Sequence, residues 1–170
     1  MEERSIAEKI LKELHYDFRE FTINGFISFV GEKRARQIIA TPWDMPSTVF
    51  GAWMSDGEEP KEYIFYRYNA QKIHQVHIQL HELSHFLLGH PTLQIDRTMI
   101  ADVLEGKASL PFSQLLRLRS PAHSDSETQA ETLATLIQQE VIHRSNLDQL
   151  MNDLSSEEKL ANFLKTMGLS

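Results

Sequence analysis

The chain has 170 residues, 41% of them hydrophobic and 24% charged, with a formal charge of −7 and a pI near 5.6. That length suits one buried core rather than two, and the acidic balance argues against a bare nucleic-acid binder, whose surface would carry a basic excess. There is no cysteine, which excludes disulfides and thiolate metal sites and leaves His, Asp and Glu as the available metal ligands.

The opening MEERSIAEKI lacks the apolar stretch of a signal peptide, and no run approaches a membrane span, so a cytoplasmic protein is expected. Ser5-Ile6-Ala7-Glu8 has capping-box spacing, and Ile6, Ile10, Leu11 and Leu14 follow with helical period, which predicts a helix near 3–14. FTINGFISFVGEKRA predicts a second helix with Phe26, Ile27 and Val30 on one side, and Gly31 near its end. The basic pieces Lys33-Arg34-Ala35-Arg36 and Arg117-Leu118-Arg119 are short and read as solvated helix ends or loops.

From Arg36 to Asn69 the texture changes to β-rich pieces, QIIAT, TVFGAWM and EYIFYRYN, separated by the turn formers PWDMPS and SDGEEP. Three strands in an antiparallel meander are expected. Helices are then predicted at 71–89, 97–105, 110–117 and 125–142, with a last one at 156–167 behind a capping box at Ser155-Ser156-Glu157-Glu158. The fold expected is α+β, in one domain: N-terminal helices over 1–35, a small sheet over 36–69, metal-site helices over 71–142 and a C-terminal helix over 143–170.

The chemistry concentrates in HELSHFLLGH, residues 81–90. Side chains four apart on an α-helix share a face, so His81 and His85 can turn their rings toward one ion. His74 and His77 continue that histidine face, while Ile73, Val76, Leu80, Leu83 and Leu87 form a separate apolar stripe. A structural helix would mix its histidines among core residues; this segregation is what a zinc helix requires. Glu82, about 100° further around, could reach a water on the ion and act as general base.

A catalytic zinc takes three protein ligands and keeps one open position. His90 would be a third histidine, but it lies five residues past His85 after Gly89, whereas the HExxHxxGxxH pattern needs six, so it reads as a helix-end residue, a hydrogen-bonding partner behind a ligand or an exposed side chain. SDSETQAETLATLI offers another source. Glu127 and Glu131 are four apart on one helical face, Ala130 and Ala134 allow close approach to a neighbouring helix, and Leu133 and Ile137 continue a buried stripe. In the gluzincin arrangement that this resembles, a glutamate on a second helix is the third ligand, and an acid four residues later fixes a ligating histidine's tautomer. Glu127 fits the first role and Glu131 the second, with their assignment open to exchange.

LHELSHFLLGH, the later ETQAETLATLI, and the strands VFGAW and EYIFYRYN together resemble the ImmA/IrrE family of metallo-endopeptidases, over about residues 30–142. The resemblance implies a gluzincin-like zinc protease, acting in the cytoplasm on a transcriptional repressor or antitoxin, often a helix-turn-helix protein. Two features depart from the family. Ile137-Gln138-Gln139-Glu140 replaces a common Leu-Leu-Met-Pro ending, and no helix-turn-helix domain is attached, so the partner would be a separate chain.

Under this expectation Glu82 is the general base of peptide hydrolysis, and His77, His90, His123 and Tyr66 are candidates for stabilising the developing oxyanion. An extended substrate could lie along the edge of the sheet, with 62–68 as one possible edge. The rival reading is a zinc-bearing module that sequesters a regulator without cutting it, with the metal closed off by a fourth ligand such as His77 or His123. A hydrolase of non-peptide amides is a third.

Overall fold

The computed structural model describes residues 2–118 and 124–154. The expected helix over 156–167 and the candidate His123 lie outside them. The described residues form an α+β fold of six α-helices and four strands. Helix α1 spans Glu2–Leu14 and α2 spans Ile23–Lys33, joined through a short 3-10 turn at Phe18–Glu20. α1 begins before Ser5, which therefore lies inside its first turns rather than capping it. Thr22 caps α2 by accepting the Gly25 N–H at 3.1 Å. Gly31 does not end α2: a Cβ there would sit 2.6 Å from the Arg36 carbonyl oxygen, so glycine lets the chain fold back tightly into the first strand.

The strands are β1 (Gln37–Trp43), β2 (Gly51–Asp56), β3 (Lys61–Arg67) and β4 (Leu93–Ile95), in the order β1-β3-β2-β4. This corrects the expected three-stranded antiparallel meander. β2 and β3 do form an antiparallel hairpin, whose turn is held by the Asp56 carboxylate accepting the N–H groups of Glu58 and Glu59. β1 instead pairs parallel with β3, and the short β4 pairs parallel with β2. The sheet is therefore mixed, and β3 lies in its interior, so residues 62–68 are not an edge. Glu62, buried within β3, is satisfied by Arg36, Trp53 Nε1 at 2.7 Å and Ser55 Oγ at 3.0 Å, as a buried carboxylate requires.

Helices α3 (Lys72–Leu88), α4 (Arg97–Leu104), α5 (Phe112–Leu118) and α6 (Ser124–Leu154) complete the described chain. α6 continues well past 142, where the sequence pattern places its end. The strand alternation separates two cores. Trp53 and Ile64 face Phe26, Val30, Leu80, Leu83, Leu133 and Ile137 of the α2, α3 and α6 helices. Ala52, Met54, Tyr63 and Phe65 face the opposite way, toward Ile100, Val103 and Leu115 of α4 and α5. The apolar stripe of α3 holds at Leu80, Leu83 and Leu87, whereas Ile73, at the first turn, is 75% exposed.

Candidate metal centre

α3 packs lengthwise against α6, and the contact is made by Leu80 and Leu83 from one helix and Leu133, Ala134 and Ile137 from the other, all fully buried. Ala130 and Ala134 have no exposed surface, and their small side chains let the two helices approach closely. That approach brings the histidine face of α3 to the first turns of α6, where acids are favoured by the helix dipole.

His81, His85 and Glu127 meet there, with one ligand atom of each lying within 4.8 Å of the others. His81 Nε2 is 3.2 Å from His85 Nε2 and 3.2 Å from Glu127 Oε2, and His85 Nε2 is 3.4 Å from Glu127 Oε1. Two ligands at zinc bond lengths subtending a tetrahedral angle lie roughly 3.3–3.5 Å apart. Each of the three separations is close to that spacing, the two to Glu127 running to different oxygens of its carboxylate. Two imidazole nitrogens and a carboxylate oxygen are also the donor chemistry that zinc accepts.

The remaining ring nitrogens are held from behind. His81 Nδ1 faces Glu131 Oε2 at 3.1 Å; an Nδ1–H donated to that carboxylate leaves the Nε2 lone pair directed toward Glu127 and His85. The same Glu131 oxygen is 3.2 Å from His77 Nε2, and His77 Nδ1 is 3.0 Å from Gln138 Oε1. His77 is therefore engaged at both nitrogens by α6. His85, 3% exposed, turns Nδ1 to His90 Nδ1 at 2.9 Å, and His90 Nε2 is 3.1 Å from Gln129 Oε1. With His85 Nε2 serving as an acceptor among the ligands, its Nδ1–H donates to His90, and the His90 Nε2–H donates to Gln129. Gly89, at φ 70°, reverses the chain after α3 and brings His90 back to this position.

Glu82 lies beside these candidate ligands, 2% exposed. It lines a cleft of about 410 Å³ together with His77, His81, Glu127, Glu131 and the start of β2. A Cβ at Gly51 would stand 2.9 Å from Glu82 Oε1 and 2.5 Å from Ile78 Cγ2, so glycine is what lets the strand backbone rest directly against this carboxylate.

Of the sequence candidates, His77, His81, Glu82, His85, His90, Glu127 and Glu131 are brought together. Tyr66, on the interior strand, does not line the cleft. Sequence reasoning did not identify Gln129, Gln138 or Gly51. Gln138 lies seven residues past Glu131, on the same helical face, and a glycine inside a strand often marks close backbone approach. Gln129 has no such local signal. No family model, curated protein or solved structure matches the chain.

Proposed function

We propose that the chain is a zinc-dependent endopeptidase in which His81, His85 and Glu127 hold the metal and Glu82 is the general base. The observation that supports this reading is the convergence, among the described residues, of two imidazole nitrogens and a carboxylate at a cleft whose wall includes a second, buried carboxylate. A zinc ion there would supply Lewis-acid polarisation of a carbonyl and a water acidic enough to attack near neutral pH. Glu82 takes the proton of the attacking water and delivers it to the departing amine, one carboxylate serving both halves of the reaction. Glu131 and His90 hold the histidine rings in the tautomer that points Nε2 at the ion.

His77 bears on the rival, a closed binding module, because both its nitrogens are occupied by α6 side chains rather than turned to the three donors. The substrate class, a separate helix-turn-helix repressor or antitoxin met in the cytoplasm, rests on the resemblance carried by LHELSHFLLGH and ETQAETLATLI. No described helix is long and apolar enough to cross a membrane.

Glu82→Gln should retain one zinc per chain by elemental analysis and lose cleavage of a co-expressed repressor by about 10²-fold or more, the scale of a lost general base. Glu127→Ala should lose the metal, whereas Glu131→Ala should only weaken it. Zinc lost in the second variant and kept in the first would reverse the two assignments, and undiminished cleavage by Glu82→Gln would end the mechanism.

A further inference from the structure

Away from the metal the cleft changes character. Its far walls are Val49 and Phe50 ahead of β2, Ile78 on α3, and Phe112, Leu115 and Leu116 on α5. Phe50 and Leu116 are 49% and 50% exposed, although both are large and apolar. The carboxylates of the lining, Glu82, Glu127 and Glu131, belong to the metal end. Arg67 lies over the Phe50 ring at 4.6 Å, but its Nη2 donates to the carbonyls of Pro46, Ser47 and Val49, and it does not line the cleft. Thr48 and His74 also line the cleft, the His74 ring 5.3 Å from that of Phe50, but among the described residues no Asp, Glu, Lys or Arg lines this end, so a charged side chain entering it would lose water without a fixed opposite charge, whereas an apolar one would bury surface at no such cost.

The backbone beside this end suits an extended guest. Phe50 accepts the Arg67 N–H at 2.9 Å and so pairs toward β3. Gly51, next along, therefore presents its peptide groups to the opposite side, where the register of β4 begins only at Met54. Among the described residues no strand covers that edge at Gly51, which is also where β2 touches Glu82.

We infer that the apolar end is a side-chain subsite, and that the chain selects an extended peptide segment bearing a large apolar residue next to the bond positioned at the metal. The hydrolase reading supplies the position of that bond; the binding preference itself follows from the walls and the edge.

The test uses the zinc-loaded full chain carrying Glu82→Gln and short fluorescent peptides of alanine–serine sequence that differ at one central position. Phenylalanine or leucine there should bind on the order of tenfold or more tighter than glycine, aspartate or lysine, the discrimination an apolar pocket gives. Leu116→Lys should abolish that advantage and improve the aspartate peptide; Phe50→Ser, on the opposite wall, should weaken the apolar peptides alone. Equal affinities, no measurable binding by any peptide, or a preference that survives both substitutions overturns the subsite. Cleavage of the same peptides by the unsubstituted chain is scored separately. Selective binding without cleavage leaves the subsite and removes the hydrolase, and unselective cleavage does the reverse.

Discussion

His90 shows how much a single side chain adds behind a ligand. Its Nδ1 receives the His85 proton at 2.9 Å, and its own Nε2–H goes on to Gln129, so an α6 side chain orients an α3 ligand through an intervening ring. Partners of this kind typically contribute a factor of about 10–100 to metal affinity. His90→Ala should weaken zinc binding by that factor in a competition titration with a chromophoric chelator, while Gln129→Ala should show a smaller part of the same effect. Unchanged affinity in His90→Ala would reduce His90 to a helix-end residue. The sequence shows His81, Glu82 and His85 because one helical turn is enough to relate them. The third-ligand spacing left His90 open between a helix-end residue, an exposed one and a donor behind a ligand; the choice among these depends on the left-handed turn at Gly89 and on a residue of a distant helix.

At the scale of elements, the site is made where β2, α3 and α6 come closest, and Gly51 controls the first of these contacts. Replacing it with alanine would set a methyl group 2.5 Å from Ile78 Cγ2 and 2.9 Å from Glu82 Oε1, neither of which can withdraw easily from a buried position. Overpacking of this kind costs about 1–3 kcal/mol. Gly51→Ala should therefore be destabilised by that amount in urea titration and, on the proposed hydrolase function, bind zinc as before but cleave far more slowly because Glu82 is displaced; full activity would show that the carboxylate does not need its present position. The helices were legible from periodicity, and so was the β2–β3 hairpin, from its SDGEEP turn. The order of the sheet was not. Alternation within EYIFYRYN says that one face is buried, but not that Gln37 will lie beside Lys61 in parallel or that Leu93 will reach Met54. Those pairings join residues far apart in the chain, through contacts that no local pattern records. α6 outran its predicted end for a related reason: no glycine or proline interrupts residues 124–154, and a fading apolar stripe does not stop a helix.

For the molecule as a whole, the three candidate ligands lie on α3 and α6, and these two helices also carry much of the first core through Leu80, Leu83, Leu133 and Ile137. Metal binding at this site would therefore be linked to folding: an ion that binds the folded chain and not the unfolded one stabilises it by about 2.7 kcal/mol at a hundred times its Kd and about 4.1 at a thousand times. For a chain of this size each kcal/mol moves Tm by roughly 2–4 °C. Chelation of the zinc-loaded protein should thus lower Tm by on the order of 5–15 °C, and re-addition of zinc should restore it. His85→Ala with Glu127→Ala removes two of the three donors, so this variant should unfold at one temperature with or without chelator. A chelator shift of equal size in that variant would mean that the stabilising ion is bound elsewhere, and the α3–α6 site would lose its claim to the metal.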